Sequence, residues 1–183
     1  MKKYLVIGNP IAHSLSPKLH NYWYKKNNIN AIYEKEELNE EHFKDLFLKL
    51  KKNQINGINV TVPFKNKIIP FINKLSVEAD KTQSVNTIYL DNDQIVGHNT
   101  DIIGFQESIK DINFDLKGKK ILILGAGGVV PSIIFALKKM NVLNIIVSNR
   151  TKDKAIKLKS YFKNITIVDW GEIPDTDMII NAT

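Results

Sequence analysis

The chain reads as short apolar strands alternating with amphipathic helices. Tyr4–Gly8 is a first strand ending in a turn. Ser16 and Pro17 then suit an N-cap and a first helical position, and a helix is predicted over Pro17–Lys26 with Leu19, Tyr22 and Trp23 on one face. Ala31–Glu36 is a second strand. Asn39 opens a helix with Phe43, Leu46, Phe47 and Leu50 at helical spacing. Ile58, Val60 and Val62 alternate with Asn59 and Thr61, the period of a half-buried strand, which Pro63 stops while starting a helix. Short helices are expected near Lys65–Ile72 and Ser76–Thr82. Asn86–Leu90 and Gln94–His98 form a hairpin across Asp91-Asn92-Asp93.

The pattern changes after a connecting helix at Ile102–Lys110. Ile121–Leu124 is a continuous apolar run, as in a buried parallel strand. Gly125-Ala126-Gly127-Gly128 follows, then a helix through Ile133, Ile134, Ala136 and Leu137. Next come a strand at Asn144–Ser148, a helix at Lys152–Phe162, and strands at Thr166–Val168 and Met178–Asn181. Repeated β-α-β units predict a doubly wound α/β sheet, with a domain boundary near Asp101.

Composition narrows the classes. The 183 residues hold no cysteine, which excludes disulfides and thiolate–metal sites. No apolar run is long enough for a bilayer, and the N-terminus lacks the features of a signal peptide, so a cytoplasmic protein is expected. The net charge of +7 raises nucleic acid as a partner. The lysines are dispersed, however, and Arg150 is the only arginine, so no nucleic acid and no membrane are expected as partners.

The glycines lie where a strand turns into a helix, which brings backbone N–H groups and a positive helix end against a pyrophosphate. Val130 stands where the third glycine of the usual fingerprint falls, and Pro131 is tolerated because the first helical turn has no intrahelical donor to lose. About 20 residues on, where an acid would hold ribose hydroxyls, the chain has Ser148-Asn149-Arg150-Thr151. A guanidinium there suits a 2′-phosphate, so NADP is the favoured cofactor. On the other side of the boundary, Ser14, Ser16, Asn59, Thr61, Lys65, Asn86, Asn99 and Asp101 fall at strand or loop ends, a set suited to a polyhydroxylated acid. No metal site is expected.

Six ordered segments together resemble the shikimate dehydrogenase family. They are Gly8–Pro17, Asn59–Lys65, Ser84–Thr87, Gly97–Asp101, Gly125–Gly128 and Asn149–Thr151. The resemblance implies NADP-dependent interconversion of 3-dehydroshikimate and shikimate, the fourth step towards chorismate and the aromatic amino acids. It implies a substrate-binding catalytic domain at residues 1–101 and an NADP-binding Rossmann domain at 102–183. Lys65 and Asp101 match the family's catalytic pair. Ser14, Ser16, Asn59, Thr61 and Asn86 fall on its substrate side. Gly125, Ala126, Gly127, Gly128, Asn149, Arg150 and Thr151 fall on its cofactor side. The chain departs from the family at Val129-Val130-Pro131-Ser132, where small residues and then a basic one are usual. It also ends at Asn181-Ala182-Thr183, where the family continues with further strands and a closing helix. A truncated form is therefore expected, binding shikimate weakly and turning over poorly. His13 and His98 are alternative proton donors. The rival functions are a quinate/shikimate dehydrogenase using NAD and a non-catalytic ligand-binding relative. A homodimer is one option the sequence leaves open.

Overall fold

A computed structural model describes residues 1–183. The chain divides into two compact units, Met1–Asn99 and Thr100–Thr183.

The first unit is built on a six-stranded sheet. Its strands are β1 (Lys2–Gly8), β2 (Ala31–Glu37), β3 (Gly57–Val60), β4 (Lys74–Leu75), β5 (Thr87–Asp91) and β6 (Gln94–His98), in the order β2-β1-β3-β5-β6-β4. β1 runs parallel to β2 and β3, whereas β5 is antiparallel to β3 and β6. One face carries Leu5, Ile7, Ile58, Val60 and Ile88, all buried with Phe43, Leu46, Phe47 and Leu50 of helix α2 (Phe43–Lys51). This is the period-2 strand meeting the helical stripe, and it forms the unit's main core. The β5–β6 turn holds Asn92 and Asp93 at φ 47° and 61°, the left-handed pair that matches strand twist in a two-residue hairpin.

Several local expectations are corrected. Ser16 is the first residue of helix α1 (Ser16–Lys26) and not its cap, which is Leu15. The Ser16 N–H donates to Ser14 Oγ at 3.3 Å, so Ser14, two residues earlier, satisfies that end of the helix. The central strand ends at Val60, and Val62 is exposed. Phe64 N–H donates to the Thr61 carbonyl at 2.9 Å, so Pro63 lies inside a turn instead of opening a helix. Only a short 3-10 turn, Ile69–Phe71, forms in the Lys65–Ile72 stretch, whereas Ser76 caps α3 (Val77–Thr82) through Ala79 N–H. Asn39 leads first into a 3-10 turn, Glu40–His42, and α2 follows it.

The second unit starts with α4 (Asp101–Asp111) and forms a fully parallel sheet. Its strands β7 (Lys120–Leu124), β8 (Asn144–Ser148), β9 (Thr166–Val168) and β10 (Met178–Asn181) stand in the order β10-β7-β8-β9. α5 (Val130–Lys139) follows β7, and α6 (Lys152–Leu158) follows β8. Ile121, Ile123, Val130, Ile134, Leu137, Ile145 and Val147 form its core. Helix α6 stops at Leu158, short of the expected Phe162. Phe162 is still buried, because its N–H returns to the Leu158 carbonyl at 2.8 Å in a terminal turn. No helix is long and apolar enough to cross a membrane.

Candidate active site

In the first unit the predicted polar residues gather where β1 and β3 end. Beyond the strands the backbone stays tied: Thr61 N–H donates to the Ile7 carbonyl at 3.0 Å and Asn9 N–H to the Val62 carbonyl at 3.1 Å. The two segments are so close that a Cβ on Gly8 would sit 2.7 Å from Thr61 Cγ2. Phe64 anchors the turn before Lys65 by packing edge-on against Phe43, with centroids 5.1 Å apart. Lys65 is half-buried, and its carbonyl accepts from Val85 N–H at 2.8 Å, which sets the lysine turn beside Asn86. Ser14, Ser16, Thr61 and Asn86 are also half-buried. The hydroxyls of Ser16 and Thr61 make no hydrogen bond within the protein, so each can serve a ligand.

Asn59 is different. Its Oδ1 accepts from the Tyr33 hydroxyl at 2.6 Å, and its Nδ2 donates to the Asn86 carbonyl and to Thr87 Oγ1, both at 3.1 Å. Every hydrogen the amide can donate is spent inside the sheet. Tyr33 and Thr87 were missed from sequence. Thr87 had a usable signal, since it stands directly opposite Asn59 in the β3–β5 pairing. Tyr33 had none, because its hydroxyl reaches across β1 to a strand two positions away. His13 is exposed, and His98 is half-buried on β6 opposite Thr87.

In the second unit the strand order reverses around β7. The chain moves from β7 outward to β8 and β9, then returns to β10 on the other side. The carboxyl ends of β7 and β10 therefore flank a topological switch point, where open parallel sheets bind ligands. Gly125 follows β7 at φ 118°, and a Cβ there would fall 2.4 Å from the Ala182 carbonyl oxygen. Only glycine fits this close backbone approach. Gly125 N–H bonds the Ser148 carbonyl and Ala182 N–H the Leu124 carbonyl, each at 2.8 Å, so the turn is held from both sides. Gly127 and Gly128 are exposed just before α5, and Val130 is fully buried beneath them.

Arg150 lies two residues past Ser148, which pairs with Leu124 at the same end of the sheet. It is exposed and has no ion pair or hydrogen bond, whereas the nearby Lys152 and Asp169 engage each other. That Lys152 contact raises its pKa through the hydrogen bond and charge of Asp169. Asn149 Nδ2 donates to the Thr151 carbonyl at 2.7 Å and Ser148 Oγ to the Asp169 carbonyl at 3.0 Å, stiffening the Arg150 loop. A glycine cradle that a Cβ would fill, exposed glycines before a helix and an unengaged guanidinium suit a phosphorylated dinucleotide. Asp101 is the first residue of α4 and is half-buried.

A parallel-sheet unit with this turn, joined to a mixed α/β unit, has the architecture of a dinucleotide-dependent dehydrogenase. The chain belongs to the shikimate dehydrogenase family. Residues 6–88 match the family described as the shikimate dehydrogenase substrate binding domain, and residues 107–183 match shikimate / quinate 5-dehydrogenase. The chain is 58% identical over 182 residues to a shikimate dehydrogenase (NADP(+)) of Pelagibacter ubique, covering 100% of this chain and 69% of that protein. The shikimate dehydrogenase structure from Aquifex aeolicus superposes with a TM-score of 0.92 at 40% identity, covering 100% of this chain and 69% of the other. A Thermus thermophilus shikimate 5-dehydrogenase, solved in complex with NADP(H) and shikimate, gives 0.89 at 30% identity, again covering 100% and 69%.

Proposed function

We propose that this chain carries out the reversible NADPH-dependent reduction of 3-dehydroshikimate to shikimate, in the biosynthesis of chorismate and the aromatic amino acids. The observation that carries the reading is its likeness, along its whole length, to the Thermus enzyme solved with both NADP(H) and shikimate. Bound NADPH supplies the hydride that converts the ketone to a secondary alkoxide. The first unit is then the substrate side and the second the cofactor side, and a cytoplasmic location belongs to the same proposal.

The protein's own residues supply the rest. Ser14, Ser16, Thr61 and Asn86 bind the carboxylate and hydroxyls of the substrate, and Asn59 supports them from the sheet. Lys65 gives its ammonium proton to the alkoxide oxygen, completing the alcohol, and takes a proton back in the reverse direction. Asp101 is assigned as the carboxylate partner of Lys65. The exposed glycines at the start of α5 receive the pyrophosphate through backbone N–H groups. Arg150 takes the 2′-phosphate through its planar fork, with Asn149 and Thr151 shaping the loop that carries it.

A steady-state comparison of shikimate and quinate, each with NADP and with NAD, tests the reading. Preferential turnover of shikimate with NADP is expected. Faster turnover of quinate with NAD would replace it with the related quinate activity. Tight shikimate binding without turnover in any combination would make the chain a ligand-binding relative.

A further inference from the structure

The turn that follows β9 carries the second unit's only tryptophan on a fixed stem. Asp169, the first residue after β9, is held from both sides of Arg150. Its carbonyl accepts from Ser148 Oγ at 3.0 Å, and its carboxylate engages the Lys152 ammonium. Ser148 also stands opposite Val168 in the β8–β9 pairing, so the two connections leave the sheet at the same level. The Asp169 carbonyl accepts a second bond, from Glu172 N–H at 3.1 Å. That bond closes a four-residue turn with Trp170 and Gly171 at its centre. Gly171 takes φ 96°, the positive value that suits glycine at the third position of such a turn. Trp170 therefore stands at the tip of a closed turn, beside the loop that carries Arg150. It is 52% exposed, and its indole makes no ring contact and no hydrogen bond within the protein.

We propose that Trp170 is the stacking face for the adenine base of the cofactor. The inference rests on the reading that Arg150 takes the 2′-phosphate. In that cofactor the base and the 2′-phosphate hang from adjacent carbons of one ribose, so a side chain that grips the phosphate also fixes where the base lies. The indole offers a wide, flat apolar surface with its one polar group at the edge, and a purine laid on it takes apolar area of both rings out of water. The carboxylate nearest to this place, that of Asp169, is already engaged by Lys152 and so opposes the incoming phosphate less. Stacking takes no account of the ribose 2′ position. Trp170 therefore adds affinity for the adenosine end as such, and the choice between NADP and NAD stays with Arg150.

The test is titration with adenosine 2′,5′-bisphosphate, which carries the base and the 2′-phosphate but no nicotinamide, followed by fluorescence and by calorimetry. In a Trp23→Phe background Trp170 is the only tryptophan, and its emission, excited beyond the adenine absorption, should be quenched as the bisphosphate binds. Nicotinamide mononucleotide should leave that emission unchanged. Trp170→Ala and Trp170→Leu should weaken binding of the bisphosphate and of NADP by about five- to hundredfold, the scale of one base stacked on an aromatic ring. Trp170→Phe, which keeps a ring face, should bind within about threefold of wild type. Emission that does not respond to bound bisphosphate, quenching by nicotinamide mononucleotide instead, or affinity in Trp170→Ala within twofold of wild type would overturn the inference. A loss in Trp170→Leu no larger than in Trp170→Phe would do the same, since leucine keeps apolar bulk and no ring. Should Trp170→Ala and Trp170→Leu not fold, the emission of the Trp23→Phe variant decides alone. A wild-type chain that binds neither NADP nor the bisphosphate would instead fail the functional reading, and the inference with it.

Discussion

Gly125 gives the sharpest test of how the dinucleotide turn is built. Replacement by alanine has two costs. At φ 118° a side chain is strained, by about 1–3 kcal/mol. The new Cβ would also lie 2.4 Å from the Ala182 oxygen and 2.7 Å from its carbonyl carbon, both backbone atoms that no rotamer change can move. The loop after β10 must shift, which breaks the 2.8 Å bond from Ala182 N–H to Leu124, worth about 0.5–1.5 kcal/mol. The sum is about 1.5–4.5 kcal/mol. A unit of roughly 80 residues has total stability on the order of 4–12 kcal/mol, so a large share is lost. With a urea m-value of about 1–2 kcal/mol/M, the unfolding midpoint should fall by about 2 M. Trp170 lies in the second unit and Trp23 in the first, so fluorescence of Trp170 in a Trp23→Phe background reports on the right unit. Gly127→Ala is the control. Its Cβ would meet nothing closer than the Ala182 oxygen at 3.8 Å, and its stability should stay within about 0.5 kcal/mol of wild type. An unshifted midpoint in Gly125→Ala, or an equal loss in Gly127→Ala, would refute the reasoning.

The other expectations concern single groups. Lys65→Ala should lower kcat by roughly 10²–10⁴ with a smaller change in KM, as read from steady-state kinetics; near-normal kcat in a folded variant would remove the lysine from the chemistry. Arg150→Ala should weaken NADPH binding by about 1.5–3 kcal/mol and barely change NADH binding, since only the former has a 2′-phosphate. His20 should titrate below its ordinary value, because burial against Tyr33 disfavours the imidazolium. Its neutral form is favoured by folding, so its contribution to stability is present above the unfolded pKa and is lost as pH falls through the folded one. An NMR titration that places His20 at or above the unperturbed value would contradict this.

What the sequence made legible was local. The apolar run Ile121–Leu124 followed by glycines specified a buried strand, a tight turn and a helix, and all three are present. Helical spacing identified Phe43, Leu46, Phe47 and Leu50, which are all buried. The errors arose where one signal had two solutions. A serine before Pro17 satisfies the rules for a cap, yet Ser14 reaches the same helix end from two residues further back. Phe162 stands four residues after Leu158, as in a helix, yet a terminal turn buries it equally well. In the site, Asn59 was legible as a polar residue in an apolar strand, but its use was not. Whether an amide faces ligand or protein depends on Tyr33 and Thr87, and those partners come from strands whose pairing no local pattern specifies.

The two candidate sites use strand ends in different ways. In the first unit the backbone beyond β1 and β3 is tied across the strands through Thr61 and Asn9, and Phe64 closes the turn within its own segment. The turn is thereby fixed, and the groups it offers are side chains of differing reach: the hydroxyls of Ser16 and Thr61, an amide and an amine. In the proposed reading each side chain meets one oxygen, and such a set can distinguish the positions of several hydroxyls and a carboxylate. In the second unit, Gly125 and Ala182 press backbone against backbone, and the exposed Gly127 and Gly128 carry no side chain at all. What is offered there is peptide N–H groups and a helix end, which favour negative charge with little regard to the shape of the molecule carrying it. Discrimination in that unit must then come from side chains beyond the turn, and of Asn149, Arg150 and Thr151 only Arg150 carries a charge. It follows that substitutions in the first unit should change which acid is accepted, whereas in the second unit only Arg150 should change which nicotinamide cofactor is preferred.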